Sequence, residues 1–291
     1  MTERPGLAIV GSRGFIGMNL QSYFKNMAYN LYLFNSDSPL NPRVLSVHNQ
    51  LQDIDTIIWA ASKVNPSNAE TSSSLVLDDL NNWRNSIQAL KDSNWCGKLI
   101  FLSSGGCVYN DGESPFKESD SISGVNEYGR LKVLMEQELQ ASGLGHTIFR
   151  ISNVYGPFQP HGRGQGVIAE WLHRVQVNEP LLLYGNGENY RDYIHVSDVC
   201  TAIEKAIHFT TSDHYNLGTG IPVSMQELIE NFKLYGNKDL NIQLMPGRSF
   251  DRSGYYLDIQ KFVAKTNWKP SIDIKDGIQT LFPFTNENDF S

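Results

Sequence analysis

A tyrosine and a lysine stand four residues apart in the segment Tyr128-Gly129-Arg130-Leu131-Lys132. At this spacing the phenol and the ammonium lie on the same side of a helix. A free phenol titrates near pH ~10 and is a poor base, but a neighbouring cation favours its ionised form and makes proton transfer useful at neutral pH. The same spacing also arises by chance. Because no other tyrosine of the chain is followed by lysine at this distance, we predict that Tyr128 and Lys132 are catalytic.

A glycine-rich loop near the start of the chain is the second candidate for chemistry. Glycines between a strand and a helix allow a tight turn and let the backbone approach a pyrophosphate at the helix N-terminus. An ordinary glycine turn is the alternative interpretation. Its place between an apolar strand and a helix favours dinucleotide binding. The predicted cofactor-binding residues of this loop are Gly11, Ser12, Arg13, Gly14, Phe15, Ile16 and Gly17.

Short apolar runs alternate with helical patterns in the first half of the chain. Continuous apolar strands separated by helices indicate a parallel sheet that is covered on both faces. We therefore predict an α/β fold with a Rossmann-like, doubly wound parallel sheet. The predicted strands cover residues 7–10, 31–34, 44–47 (weak), 56–61, 98–103 and 146–151, and the predicted helices cover 15–27, 75–92 and 127–142.

The pattern changes after about residue 155, where Gly and Pro become frequent. A helix over 167–177, a strand over 181–184 and a helix over 196–209 are predicted there. We predict a dinucleotide-binding Rossmann domain over residues 1–155. A smaller C-terminal substrate-binding cap, with returns to the sheet, follows over residues 156–291.

Composition excludes several classes of function. The net charge is −7, whereas nucleic-acid binders usually carry a basic stripe. No stretch approaches the roughly 18 apolar residues of a membrane span. The three cysteines are far apart in the sequence, and neither they nor the histidines have the spacing of metal ligands. We predict a cytoplasmic protein with no metal, no nucleic-acid partner and no membrane partner.

Further motifs join the glycine loop and the Tyr–Lys pair. The set resembles the extended short-chain dehydrogenase/reductase family, which contains the NAD-dependent nucleotide-sugar epimerases, dehydratases and 4-keto reductases. The resemblance covers nearly the whole chain. It rests on G-S-R-G-F-I-G at 11–17, W-A-A-S at 59–62, L-S-S-G-G-C-V-Y at 102–109, Y-G-R-L-K at 128–132, R-I-S-N-V-Y-G-P at 150–157, Y-R-D-Y-I-H-V-S-D-V at 190–199 and N-L-G-T-G at 216–220.

The resemblance implies a nicotinamide cofactor on the N-terminal half and a nucleoside-diphosphate sugar under the cap. It makes Tyr128 the acid–base group at the sugar 4-oxygen, with Lys132 holding the nicotinamide ribose. It also places Ala60 and Ala61 beside the cofactor and Lys63 near its phosphates.

Two residues are assigned to the substrate in the same way. The resemblance implies that Asn153 contacts the sugar diphosphate and that Arg191 clamps it, and a guanidinium suits phosphate geometry. The alternatives are a turn residue before Gly156 for Asn153, and an ion pair with Asp192 or Asp198 for Arg191.

The sequence departs from the family pattern in two places that matter for chemistry. Gly105 stands where the family usually has Ser or Thr, so Ser104, Ser103 or water must supply the hydroxyl that assists Tyr128. The second strand ends in Asn35 and Ser36, where NAD users commonly have an acidic residue. The segment between this strand and the strand at 56–61 is also short, so we expect the helix usually found there to be missing or much reduced.

Cofactor preference and reaction follow from these departures. Arg13 adds a cation near the adenine ribose and Asn35 removes an anion, so NADP(H) is favoured, with NAD(H) possible. NADPH suits an NADPH-dependent 4-keto-sugar reductase in activated deoxysugar or polysaccharide biosynthesis. The alternatives are an NAD-dependent nucleotide-sugar 4-epimerase and a catalytically silent dinucleotide-binding protein. Dehydration is disfavoured because Gly106 and Cys107 replace the acidic pair it needs. The family further implies a homodimer through the helices at 75–93 and 127–142.

Overall fold

The computed structural model describes residues 4–41, 50–236, 240–247 and 254–282. The described strands are β1 (Gly6–Val10), β2 (Asn30–Phe34), β3 (Thr56–Trp59), β4 (Lys98–Ser104), β5 (Gly145–Ile151), β6 (Asn153–Tyr155), β7 (Leu181–Tyr184), β8 (Tyr190–His195), β9 (Asp213–Leu217), β10 (Pro222–Ser224), β11 (Ile242–Met245) and β12 (Gly254–Tyr255). The described α-helices are α1 (Phe15–Phe24), α2 (Pro66–Ala69), α3 (Ser73–Asp92), α4 (Glu127–Ala141), α5 (Val167–Gln176), α6 (Val196–Ile207), α7 (Met225–Tyr235), α8 (Gln260–Thr266) and α9 (Ile274–Leu281).

The central sheet has six parallel strands in the order β2-β1-β3-β4-β5-β9. The chain enters in the interior of the sheet at β1, builds β2 on one side and then continues on the other side from β3. Ligands of such sheets bind beyond the carboxyl ends of the strands, at the point where the direction of winding reverses. The predicted doubly wound α/β fold is confirmed, with the reversal between β1 and β3. The weak strand predicted at 44–47 lies outside the described residues. Residues 35–41 and 50–55 of the segment between β2 and β3 are described, and the helical structure in them is a short 3₁₀ helix, Gln50–Asp53.

Both faces of the sheet are buried, as the apolar runs predict. Side chains of a strand alternate between the two faces. In β4, Leu99 and Phe101 pack into one core cluster with Trp83 of α3, whereas Ile100 and Leu102 pack into a second cluster. Helices α3 and α4 cover the first face and helices α1 and α6 cover the second.

The second half of the chain builds smaller sheets and also returns to the central one. Strand β8 pairs with β6, β10 and β12, and β7 pairs with β11. A third apolar cluster, which includes Trp171, Leu181 and Phe232, holds these elements together. The helices and the strand predicted after residue 155 are confirmed. The division at residues 155 and 156 stays a prediction, because β9 and α6 belong to the central sheet and its cover.

None of the helices within the described ranges is both long and apolar enough to cross a lipid bilayer. The three cysteines are free thiols: Cys96 is exposed, Cys107 is half-buried and Cys200 is buried.

Candidate active site

A cavity of about 660 Å³ lies at the carboxyl ends of β3, β4 and β5 and extends under the elements of the second half. The cavity is therefore where the sheet topology places a ligand. It brings together predicted site residues from separate parts of the chain, namely Phe15, Ile16, Ala60, Ser103, Ser104, Tyr128, Lys132, Asn153 and Arg191.

Helix α4 presents the Tyr–Lys pair to this cavity. Asn126 caps the helix by accepting a hydrogen bond from the backbone N–H of Gly129 at 2.8 Å. The Nζ atom of Lys132 lies 5.6 Å from the centre of the Tyr128 ring and donates to the carbonyl of Leu102 at 3.3 Å. The Tyr128 hydroxyl makes no hydrogen bond to the residues that the structure describes, so it is available to a substrate. The predicted common face of the two side chains is confirmed.

Burial governs the protonation of both groups. Burial raises the pKa of Tyr128, and the Cys107 thiol and the Asp79 carboxylate raise it further. Burial lowers the pKa of Lys132 to about 8, although Asp79 and Glu136 oppose this shift. The chain by itself therefore does not produce the lowered phenol pKa expected of the pair. Tyr128 is instead held as a phenol, which is a proton donor at neutral pH.

The buried ammonium of Lys132 makes stability depend on pH. Its pKa falls from 10.5 in the unfolded chain to about 8 in the folded one, so the unfolded chain binds more protons between these values and stability rises with pH there. At about pH 7, Lys132→Met is expected to raise the free energy of unfolding by about 1–3 kcal/mol. This gain shrinks as the pH rises through the same window. Urea unfolding of both proteins across the window tests this, and a gain independent of pH contradicts it.

The glycine loop fits a pyrophosphate. Gly11 has a φ of +90°, and a Cβ at this residue would lie 2.7 Å from the backbone nitrogen of Ala61. A Cβ at Gly17 would lie 2.1 Å from the carbonyl oxygen of Gly11. Helix α1 begins after Gly14 with no side-chain cap and no acidic residue in its first turn. Its N-terminal N–H groups and the positive end of its dipole are therefore open to an anion, as an NAD-type dinucleotide requires.

The end of β2 differs from the prediction. The Arg13 guanidinium forms an ion pair with Asp37, and both side chains are 68% exposed. The side chain of Asn35 accepts a hydrogen bond from the backbone N–H of Asp37 at 2.9 Å, while Ser36 is 3.4 Å from the Asp37 carboxylate. Asn35 thus shapes its own turn. The expected loss of an anion is wrong, because Asp37 restores a carboxylate beside Arg13.

The loop after β3 is organised by Asp79 of α3, which the sequence did not single out. Its buried carboxylate accepts hydrogen bonds from the Ser62 hydroxyl at 2.7 Å and from the backbone N–H of Lys63 at 3.0 Å. The loop follows Ala60, which lines the cavity, and Ala61, which does not. The ammonium of Lys63 itself points outward, 4.0 Å from Asp78.

The two serines of β4 point to opposite faces. Ser103 is buried and donates to the carboxylate of Glu136 on α4. Ser104 is half-exposed, lines the cavity and has no side-chain hydrogen bond to the described residues. Of the two predicted hydroxyls, the one at Ser104 is free to meet a ligand.

Because of these positions, alanine variants of the two serines are expected to have different effects. We expect Ser104→Ala to lower turnover more than Ser103→Ala does, because both serines line the cavity but the Ser103 hydroxyl is bonded to Glu136. Ser103→Ala removes a donor from a buried carboxylate and is expected to cost about 1–3 kcal/mol of stability. Steady-state rates and urea unfolding of both variants provide the measurement. Full rates in both variants would exclude the serines from the site.

The two residues predicted to bind the substrate lie on β6 and β8. The side-chain oxygen of Asn153 accepts a hydrogen bond from the Tyr255 hydroxyl at 3.1 Å. The Arg191 guanidinium lies 5.8 Å from the centre of the Tyr255 ring and donates to the backbone carbonyl of Tyr190. Arg191 forms no ion pair with Asp192 or Asp198, the two carboxylates considered as its alternative partners. Asp192 accepts from Thr219, Gly220 and Leu257, and Asp198 accepts from Ser271 and Ile272.

Sequence reasoning missed Asp37, Asp79 and Tyr255. Asp37 lies only two residues beyond Asn35, so the sequence does contain an acidic residue shortly after β2. No sequence pattern around Tyr255 indicates a site residue, because Tyr255 reaches the cavity only through the pairing of β12 with β8. Within the ranges that the structure describes, no three His, Cys, Asp or Glu side chains are placed to hold a metal ion.

The chain is similar to known proteins in both sequence and fold. A model of the NAD dependent epimerase/dehydratase family matches residues 7–218. The dTDP-4-dehydro-6-deoxyglucose reductase of Escherichia coli is 30% identical, over 96% of this chain and 97% of its own. A putative UDP-glucose 4-epimerase of Methanocaldococcus jannaschii is 26% identical, over 97% and 99%. The structure of a Thermotoga maritima UDP-glucose 4-epimerase with UDP-glucose has a TM-score of 0.85 at 23% identity, covering 95% and 97%.

Proposed function

Because this chain belongs to the NAD dependent epimerase/dehydratase family, and is thus an enzyme that uses an NAD-type dinucleotide, we propose that it is an NADPH-dependent 4-keto-sugar reductase. Its substrate is a nucleoside-diphosphate sugar of activated deoxysugar or polysaccharide biosynthesis. The observation that carries the proposal is the position of Tyr128 beside Lys132, in one cavity with Asn153 and Arg191. The reductase relative from Escherichia coli supports reduction over other reactions at C4.

Each residue of the site has a separate role in the proposed reaction. A reduced nicotinamide dinucleotide held at the glycine loop and by Lys132 would supply the hydride for reduction at the carbonyl carbon C4. Tyr128 gives its phenolic proton to the oxygen on C4, so that the carbonyl becomes a hydroxyl. Lys132 lies beside the ring and stabilises the phenolate that this leaves. Arg191, with its fork of donors, holds the diphosphate. Asn153 orients the same part of the substrate with its amide.

A 4-epimerase is the second candidate, and one observation favours it. Asp37 at the end of β2 offers a carboxylate of the kind that binds the ribose hydroxyls of NAD. An epimerase keeps its NAD and returns the hydride to the opposite face of C4. The putative epimerase relative points the same way.

Two assays separate the candidates. The purified protein is given dTDP-4-dehydro-6-deoxyglucose with NADPH or NADH, and the near-ultraviolet absorbance of the reduced nicotinamide is followed. In parallel it is given UDP-glucose with no added reductant, and the formation of the C4 epimer is measured. We expect oxidation of NADPH in the first assay and no epimer in the second. Epimer formation alone makes the protein an epimerase. Dinucleotide binding without either reaction makes it a silent binding protein.

The proposed preference for NADP(H) depends on whether the positive charge of Arg13 outweighs the negative charge of Asp37 beside it. The guanidinium attracts a 2′-phosphate and the carboxylate repels it. We expect Arg13→Ala to weaken NADPH binding by about tenfold and NADH binding much less, a difference of about 1.4 kcal/mol. Asp37→Asn is the matched variant and is expected to tighten NADPH binding. Calorimetric titration measures all three proteins. Tighter NADH binding by the parent, or an unchanged preference in Arg13→Ala, overturns the assignment and restores the epimerase as first choice.

The homodimer and the cytoplasmic location complete the proposal. The dimer would form through α3 and α4. The outward residues of these two helices are mainly polar, and within the two helices Leu77 is the exposed large apolar side chain. An interface there would therefore be a polar one, and sedimentation of the protein over a range of concentrations would detect it.

A further inference from the structure

We propose that Tyr255 supplies the hydroxyl that is missing at the Gly105 position, as a hydrogen-bond donor to the oxygen on C4 of the sugar. This inference rests on the proposed function, since it names a further residue of the same site. Tyr255 keeps its own proton, and Tyr128 remains the group that transfers one.

The backbone after β4 has no room for a hydroxyl-bearing side chain at the usual place. A Cβ at Gly105 would lie 2.6 Å from a methyl group of Leu257 and 3.1 Å from the carbonyl oxygen of Arg150. Leu257 is fully buried, and its backbone N–H is bonded to Asp192 at 3.2 Å. The glycine at this position is thus part of a packed arrangement, and a serine there would have to displace the buried side chain of Leu257.

The same segment delivers a different hydroxyl to the next residue. A Cβ at Gly106 would lie 2.3 Å from the phenolic oxygen of Tyr255. The Tyr255 hydroxyl therefore lies directly against the Gly106 backbone, one residue from the position that Gly105 leaves without a side chain. Both glycines are needed for the arrangement, the first to admit Leu257 and the second to admit the phenol.

Tyr255 belongs to the cavity that contains the Tyr–Lys pair. It lines this cavity together with Ser104, Tyr128 and Asn153. The carbonyl oxygen of Cys107 would lie 2.1 Å from a Cβ at Gly129, the residue after Tyr128, so the loop after β4 packs against the start of α4. The Cys107 thiol also raises the pKa of both phenols. Tyr128 and Tyr255 are thus both held beside the same short loop at the edge of one cavity.

The phenol is held firmly and kept protonated. Tyr255 is 3% exposed, and β12 pairs it with Arg191 of β8. Burial raises its pKa well above the ordinary value, so it donates a hydrogen bond at any working pH. Its acceptor in the protein is the side-chain oxygen of Asn153 at 3.1 Å. A sugar oxygen that takes this bond leaves Asn153 to bind the substrate in turn.

The test compares Tyr255→Phe with Tyr256→Phe, a neighbouring tyrosine that does not line the cavity. Both variants are first checked for wild-type thermal unfolding and dinucleotide affinity. On the substrate that the wild type turns over, Tyr255→Phe is expected to lower kcat by about 10²-fold, as loss of one preorganised donor does. KM is expected to change little, and Tyr256→Phe is expected to match the wild type. Equal kcat values in the two variants overturn the inference.

A binding measurement distinguishes this failure from a failure of the proposed function. If the wild type turns over neither sugar, the proposed function fails, and the affinity for dTDP-glucose decides about Tyr255. Calorimetric titration is then expected to show about three- to tenfold weaker binding by Tyr255→Phe than by Tyr256→Phe, the effect of one hydrogen bond. Equal affinities of the two variants for dTDP-glucose overturn the inference in that case.

Discussion

Tyr128→Phe is expected to abolish turnover while dinucleotide binding stays nearly intact. The change removes a single oxygen, the one from which the proton is transferred. Acid–base steps of this kind contribute roughly 10²–10⁴-fold to the rate. The ring remains in place beside Lys132, whose Nζ atom lies 5.6 Å from its centre, so the shape of the cofactor side is preserved.

The measurement pairs a rate with a binding constant. Steady-state turnover of the keto sugar is followed with saturating NADPH, and the Kd of the dinucleotide is measured by calorimetry. Tyr256→Phe serves as the control for loss of a phenol elsewhere. Near-wild-type turnover in Tyr128→Phe would remove the acid–base assignment. A large loss of dinucleotide binding would show that the variant damages the fold instead.

Arg150→Met is expected to be the most destabilising change considered. Arg150 lies on β5 and binds the carboxylate of Glu136 on α4 through its Nε and Nη2 atoms, at 3.0 and 2.8 Å. The two side chains are 3% and 0% exposed. Removing the guanidinium leaves a buried carboxylate without its cation, and such losses cost about 3–5 kcal/mol. The same carboxylate accepts from Ser103, so the C-terminal end of β4 is expected to loosen as well.

A double variant shows whether the unpaired charge causes the loss. Arg150→Met combined with Glu136→Leu replaces both partners by apolar side chains, and replacing a buried ion pair in this way is often neutral. We expect the double variant to recover most of the stability in urea unfolding. A double variant as unstable as Arg150→Met would mean that packing of the long Arg side chain, and not the charge, stabilises this region.

The sequence by itself determined the features that depend on neighbouring residues. The four-residue spacing placed Tyr128 and Lys132 on one helix face because the helix repeat is local. The apolar runs identified the buried parallel strands, because a strand covered on both faces has no polar side. The sequence also placed the glycine loop between β1 and α1, because a tight turn there needs its glycines at fixed positions. Family motifs then linked these pieces to Asn153 and Arg191, which do line the cavity.

Only the tertiary structure decided which groups meet across the chain. Asp37 pairs with Arg13 from 24 residues away, and Tyr255 reaches Asn153 across 102 residues. Neither contact has a periodic signature, because loop and strand pairing between distant segments is set by packing of the whole fold. Ser103 and Ser104 are adjacent and alike in sequence, yet the pleat of β4 buries one against Glu136 and turns the other to the cavity. The direction of the Tyr128 pKa was likewise decided by burial, which no local pattern measures.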